Sequence, residues 1–383
     1  MPYLDYAATA PLRPEVWEAM RPAAEAFGNP SSLHAAGRQA RVMLEAARER
    51  VAAALGCEPG EVVFTSGGTE ADTLAVQGAL GARPDRPGLV TSAVEHHAVL
   101  APAEARAAEH PAAFLPPAAG GAPTPEAVAE AVDARTGLVS VMLVNNETGA
   151  LADVPAIAAA AHAAGALCHT DAVQAPGVVP VDVGALGVDL LSVSAHKLGG
   201  PKGAGALVVR SGAELRPVVA GGAQERRRRG GTENLMGALG LAEALGRAVA
   251  EREAEAPRLA ALRDRLLAGL RDAAGGRLVV NTPGVDGRPG RSAPHILSVS
   301  VAPGDRPVDG EMLLLGLDLA GVAASAGSAC TSGALEPSHV IQALGVPRET
   351  AAATVRFSLG RATTAADVDA AAAAFGAHLA RVG

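Results

Sequence analysis

The sequence predicts an α/β fold with a large, mostly parallel central sheet and a smaller C-terminal α+β unit. Between about residues 60 and 210, short apolar runs alternate with longer Ala-rich amphipathic stretches, the pattern of strands and crossover helices. The 383 residues exceed one ordinary core. The pattern also changes after residues 232–273, where a Gly/Pro/Arg-rich stretch, Pro283–Pro294, gives way to isolated strands and helices. We therefore expect a large domain over residues 14–250 and a small domain from residues 1–13 with 251–383.

Two helices come first: Pro14–Ala26, and Ser31–Leu55 with a serine at its N-terminal cap. Strands follow at Val62–Thr65, Leu89–Ser92, Leu138–Val144, Leu167–Thr170, Leu190–Val193 and Ala204–Val209. Between them lie helical patterns at Glu70–Leu80, Ala98–Ala108, Pro125–Val132 and Val154–Ala164. Residues 232–273 read as one or two long helices. The small unit has strands at Ile296–Val301 and Thr354–Ser358, with helices at Val308–Gly316, Ser338–Leu344 and Ala365–Ala380. The Ala/Ser/Gly segment Ala323–Gly333 reads as a loop.

Composition excludes several classes. Aromatics are 2%, too few for base-stacking platforms, and the formal charge of −8 opposes general affinity for nucleic acid or anionic membrane. The N-terminal MPYLDYAATAPLRP has no basic-then-apolar leader, and the apolar run Ala156–Cys168 is short and interrupted by His162. Three widely spaced cysteines, Cys57, Cys168 and Cys330, give neither a disulfide framework nor a CxxC metal pair. A cytoplasmic protein without a metal is expected.

Chemistry concentrates where strands end. Ser194-Ala195-His196-Lys197 leads into Gly199-Gly200-Pro201-Lys202-Gly203, placing Lys197 past an apolar strand in a glycine-rich turn. Burial there would lower the amine's pKa and suit it to Schiff-base chemistry, whereas a lone lysine in a turn is ordinarily a surface residue. Asp171 closes the preceding strand, with Gln174 just beyond. A pyridoxal 5′-phosphate (PLP) ring needs such a carboxylate to hold its nitrogen protonated, although an Asp there equally suits a helix cap. Ser66-Gly67-Gly68-Thr69-Glu70 follows a strand and opens a helix, an arrangement suited to an anion. Glu95-His96-His97 and Asn145-Asn146-Glu147 follow two further strands. Polar groups at four successive strand ends are a stronger signal than any one of them.

In the small unit, Cys330 lies in Ser325-Ala326-Gly327-Ser328-Ala329-Cys330-Thr331-Ser332-Gly333, a setting better suited to a reactive thiolate than to packing. Arg356, in Val355-Arg356-Phe357-Ser358, suits either a clamp on a substrate carboxylate or a structural salt bridge. Cys168 reads as filler, and the Arg226–Arg229 run as a solvated loop.

With these motifs in place, the chain resembles the NifS/IscS-like cysteine desulfurases of the class V aminotransferase family. The likeness begins at Tyr3-Leu4-Asp5-Tyr6-Ala7-Ala8-Thr9 and Phe27-Gly28-Asn29-Pro30-Ser31-Ser32. It continues through Thr65–Asp72, Glu95–Leu100, Val144–Glu147, Asp171–Gln174 and Ser194–Gly203, then Gly230–Asn234, Gly327–Ser338 and Val355–Arg361. The resemblance implies the PLP-dependent transferase fold type I and a homodimer. It implies that Lys197 forms the Schiff base and moves the Cα proton, Asp171 pairs with the pyridine nitrogen, His96 stacks on the ring and moves the proton on the substrate thiol, and Gln174 bonds the phenolic oxygen. Gly68, Thr69, Ser194 and His196 would hold the phosphate, joined by Thr232 from the second subunit. Asn146 and Arg356 would orient L-cysteine, and Cys330 would take its sulfur as a persulfide for a sulfur acceptor or an iron–sulfur scaffold protein. Arg227–Arg228 depart from the family by replacing a glycine-containing pattern. The other readings are a selenocysteine lyase, β-lyase or aminotransferase on the same fold, none of which needs the Cys330 thiol, and a non-catalytic scaffold.

Overall fold

The computed structural model describes residues 1–304, 307–327 and 337–382. Seven strands form the larger sheet: β1 Val62–Thr65, β2 Gly88–Ser92, β3 Ala112–Leu115, β4 Thr136–Ser140, β5 Leu167–Asp171, β6 Leu190–Ser194 and β7 Gly205–Val209. Their order across the sheet is β1-β7-β6-β5-β4-β2-β3. The neighbours from β3 to β6 run parallel, and β7 lies antiparallel between β6 and β1. β1 therefore points the same way as β6.

Alternate strand residues enter separate apolar cores on the two faces. Val62, Phe64, Leu191, Val193 and Val208 pack into one; Val63, Leu190, Leu207 and Val209 pack into the other. Burial on both faces explains why the strands read as continuous apolar runs. A second sheet of three antiparallel strands follows: β8 Leu278–Val280, β9 Ile296–Val301 and β10 Thr354–Ser358, ordered β10-β9-β8. It has its own core, where Leu297, Val299, Val355 and Phe357 meet Leu4 from the N-terminus and Phe375 from the last helix, Ala365–Val382.

Residues 232–273 resolve into one helix, Leu235–Ala274, of 40 residues. Its first part packs Leu241, Ala244 and Leu245 into the larger unit, and its second part packs Leu266 and Leu270 into the smaller one. Pro257 lies between these stretches.

The sequence reading missed β3 and β8. Both are edge strands of only four and three residues, with half-buried side chains that leave little apolar pattern. The second helix starts at Ala35, not Ser31. Asn29 Oδ1 accepts from Ser31 N (2.8 Å) and Asn29 O from Ser32 N (2.9 Å), so these serines sit in a turn, and His34 caps the helix by accepting from Gly37 N (3.2 Å). The arginine run is only partly solvated: Arg229 pairs with Glu70 (2.8 Å) and Arg228 donates to Gly60 O (3.2 Å). Glu225, Arg226 and Arg227 all have left-handed backbone, with φ of 43°, 54° and 66°. The buried Glu225 carboxylate holds this strained turn, accepting from Arg48 Nη1 (2.7 Å) and Nη2 (2.9 Å) and from Phe64 N (3.0 Å).

Candidate active site

Because β1, β2, β4, β5 and β6 share one direction, their carboxyl ends form a single ledge, the edge where open α/β sheets bind ligands. A cavity of about 260 Å³ lies over it. Gly68, Thr69, His96, Asn146, Asp171, Gln174, Ser194, His196, Lys197 and Arg356 all line this cavity. Thr232 does not; it is exposed on the surface of its own chain. Cys330 lies outside the described residues.

Lys197 ends a single 3-10 turn, Ala195–Lys197, that follows β6 directly. Gly199 reverses the chain next, with φ of 78°, and a Cβ there would stand 2.6 Å from Arg13 Cγ. The Lys197 amine donates to Ala7 O (2.6 Å) and Ala8 O (2.9 Å) of the N-terminal segment. Burial and the nearby Arg356 charge lower its pKa to about 8, against the opposing pull of Asp171 and Asp5. Lys202 is exposed and does not line this cavity.

Asp171 is buried at the end of β5 and accepts from Val173 N (2.8 Å). Burial lifts its pKa to about 6, while that hydrogen bond and Lys197 pull the other way. Two more buried carboxyls, Asp72 and Glu95, are pushed well up by the same desolvation, and the Asp171 charge adds to it in both. His169 sits 3.6 Å from Asp72, bonded to Ser140 Oγ (2.8 Å) and Ser192 Oγ (3.0 Å). Burial drops its pKa to about 3, so it is neutral. Glu95 belongs to a strand-end motif already legible in the sequence, whereas Asp72 and His169 are signalled only by their polarity at buried positions.

His96 caps the helix His97–Ala107, its Nδ1 accepting from Ala98 N (3.1 Å). That bond leaves Nε2 to carry the ring proton. Although the ring is exposed to the cavity, surrounding protein and then the Lys197 charge hold its pKa at about 4. His196 is likewise neutral, its Nδ1 3.1 Å from Thr9 Oγ1, with burial first and Lys197 second bringing its pKa to about 4.

Arg356 joins the ledge from β10. Its Nη1 donates to Asn146 O (2.9 Å) and Gly327 O (3.2 Å), and its Nη2 to Asp5 (2.9 Å). The structure thus contains the salt bridge that the sequence left open, yet among the described residues Nε is buried without a partner in a residue lining the cavity. Asp5, Glu147, Gly327 and Ser338 stood in the sequence motifs without a role of their own, since each acts through a partner far away in the chain. The cavity offers a small-residue anion cradle, a carboxylate, an amine of lowered pKa and an unpaired guanidinium donor.

The model of the class-V aminotransferases matches residues 2–371. The chain belongs to that family. Its family relatives include the cysteine desulfurase IscS of Dictyoglomus turgidum, 43% identical over 96% of this chain and 91% of the relative. NifS of Azotobacter vinelandii, also a cysteine desulfurase, is 43% identical over 96% of this chain and 90% of that one. Among solved structures, a NifS-like protein aligns with a TM-score of 0.89 at 33% identity, covering 99% of both chains. DndA of Streptomyces lividans aligns at 0.75 and 39% identity, covering 93% of this chain and 99% of its own. This class-V member has the fold type I architecture that the resemblance implied.

Proposed function

We propose that the chain is a homodimeric, PLP-dependent L-cysteine desulfurase with Cys330 as the sulfur-accepting thiol. One observation carries the reading. Lys197, Asp171, His96 and Arg356, drawn from both sheets and from a strand-to-helix turn, converge on one cavity that Gly327, three residues before Cys330, also lines.

The residues fit PLP. Among the described residues, Ser194 Oγ is buried without a partner beside Gly68 and Thr69, as a phosphate cradle requires. A Cβ on Gly68 would stand 2.9 Å from Val173 Cγ2 and crowd that cradle. His196 completes it, and Thr232 serves the cradle of the second subunit. Exposed Phe27, Leu33, Val42 and Val218 support a second copy covering this chain. Asp171 would face the ring nitrogen, His96 the ring face and Gln174 the phenolic oxygen. When bound, PLP supplies an electron sink at the substrate's Cα.

The chain's own groups do the rest. Lys197, with its pKa near 8, has enough neutral amine at neutral pH that it would hold PLP through Nζ and could move the substrate's Cα proton. Arg356 Nε and Asn146 orient the substrate carboxylate. His96 presents an N–H and, neutral throughout the physiological range, can donate to the substrate sulfur without adding charge. The Cys330 thiolate attacks that sulfur; an S–S bond forms, the C–S bond breaks, and the products are alanine and an enzyme persulfide. A sulfur-acceptor protein or iron–sulfur scaffold then takes the sulfur.

The division into residues 14–250 and residues 1–13 with 251–383 belongs to the same reading, supported by the separate cores of the two sheets. So does a cytoplasmic setting, supported by free Cys57 and Cys168. Among the described residues, no helix is long and apolar enough to cross a membrane. Cys330→Ser tests the function. The variant should stay yellow and still change its visible spectrum with cysteine, while alanine and sulfide production collapse together. Wild type exposed briefly to cysteine should carry one added sulfur on the Cys330 peptide. Near-normal turnover in the variant would move the reading to a β-lyase or aminotransferase.

A further inference from the structure

Two separated stretches of chain meet on one buried carboxyl group. Glu147 follows β4 through Asn145 and Asn146, and its backbone is fixed before its side chain is used. Asn145 Oδ1 accepts from Glu147 N (3.0 Å) and Thr148 N (2.9 Å), while Asn145 Nδ2 donates to Val94 O (2.8 Å). The Glu147 carboxyl then accepts from Ser338 Oγ. Ser338 also accepts from Val340 N (3.1 Å) and Ile341 N (3.5 Å) at the head of the helix His339–Ala343. Its single proton is therefore committed to Glu147.

Gly327 approaches the same oxygen from the other side. A Cβ on Gly327 would stand 2.8 Å from Glu147 Oε2, and its φ is 99°, so the position demands glycine. Arg356 Nη1 holds the Gly327 carbonyl (3.2 Å) as well as the Asn146 carbonyl (2.9 Å). Gly327 and Ser338 bracket Cys330 in sequence. Both attachment points of the Cys330 segment are thus set against one carboxyl, beside the guanidinium assigned to the substrate.

We propose that Glu147 is a positioning residue for sulfur transfer, acting through Ser338 and Gly327 to fix where the Cys330 segment leaves and rejoins the cavity wall. The inference rests on the desulfurase reading. Attack on sulfur needs the thiolate aligned with the breaking bond, and a misplacement of about 1 Å costs about a hundredfold in rate.

The test compares holoenzyme of wild type, Glu147→Ala, Ser338→Ala and Glu147→Gln. Ser338→Ala breaks the contact from its other side, so a folding defect peculiar to one alanine variant does not decide the result. Three quantities are read: iodoacetamide alkylation of Cys330 before cysteine is added, rapid-quench persulfide formation on the Cys330 peptide, and the cysteine concentration giving half the visible spectral change. Both alanine variants should form persulfide about tenfold more slowly or worse and alkylate severalfold faster, with half-saturation within about twofold of wild type. Glu147→Gln keeps an acceptor oxygen and should restore both rates. Wild-type alkylation and persulfide rates in the alanine variants would overturn the proposal. So would a parallel loss of half-saturation, which marks a substrate contact, or a Gln variant as defective as Ala. If the wild type forms no persulfide while the alanine variants still alkylate faster, the desulfurase reading fails and the anchoring role stands.

Discussion

The two walls of the cavity are built in opposite ways. The cofactor-facing ledge sets its carboxylate and its ring locally: Asp171 is held by the N–H of Val173, and His96 by that of Ala98, each two residues away, while Lys197 and His196 reach back to Ala7, Ala8 and Thr9. The substrate-facing wall is long-range: Arg356 reaches Asp5 across 351 residues and Asn146 across 210, and Ser338 reaches Glu147 across 191. The backbone of a ledge made from the ends of one sheet is set by that sheet, and Asp171 and His96 need no other element to hold them. A wall that spans two sheets holds its geometry only while both are correctly placed.

Substitutions can separate the two. Lys197→Ala removes the ledge's only amine in the cavity and should lower alanine production roughly a thousandfold or more. Borohydride reduction of wild type should place the pyridoxyl group on Lys197, and its appearance on Lys202 would refute the assignment. On the wall, Arg356→Ala should raise KM for cysteine about a hundredfold while the protein remains yellow, since truncating one partner of a buried charge pair costs about 3 kcal/mol. Asp5→Asn leaves the guanidinium in place and should raise KM about tenfold or less. Equal losses in these two variants would mean that the salt bridge, not the clamp, is what matters.

Smaller effects sharpen the contrast. Ser194→Ala deletes a buried hydroxyl that has no partner, so the apoprotein's melting temperature should hold. PLP affinity, read by titrating the apoprotein, should weaken about tenfold through the lost bond to a charged phosphate. The smallest effect crosses between the walls. Lys197 is nucleophilic only when neutral, so PLP capture by the apoprotein should slow as pH falls through about 8. Arg356 is one cause of that lowered pKa, and in Arg356→Gln the break in the pH–rate curve should move upward. An unmoved break would show that the guanidinium does not reach the amine electrostatically.

This contrast also sets what could be read in the sequence. The ledge was legible because short continuous apolar runs end in polar residues, and a parallel sheet gathers those ends along one edge. Arg356 was legible as a charge on an apolar strand, but its partner Asp5 was not, because no local pattern links positions so far apart. Asp72 and His169 were missed for a different reason. No local pattern marks them as buried, and their meaning appears only when burial brings the carboxyls of Asp72, Glu95 and Asp171 together. β3 escaped notice because an edge strand needs one neighbour and little apolar surface.

The helix Leu235–Ala274 gives these separations a mechanical meaning. At 1.5 Å per residue, its 40 residues make a beam of about 60 Å rooted in both cores. Pro257 has no N–H to return to the carbonyl of Glu253, so the beam is most compliant between its two footings. Any tilt of the small sheet against the large one must flex this member, like the bow of a pair of tweezers. The gap between the lysine and arginine jaws is therefore sprung rather than loose, with its stiffness set by residues that never touch the substrate.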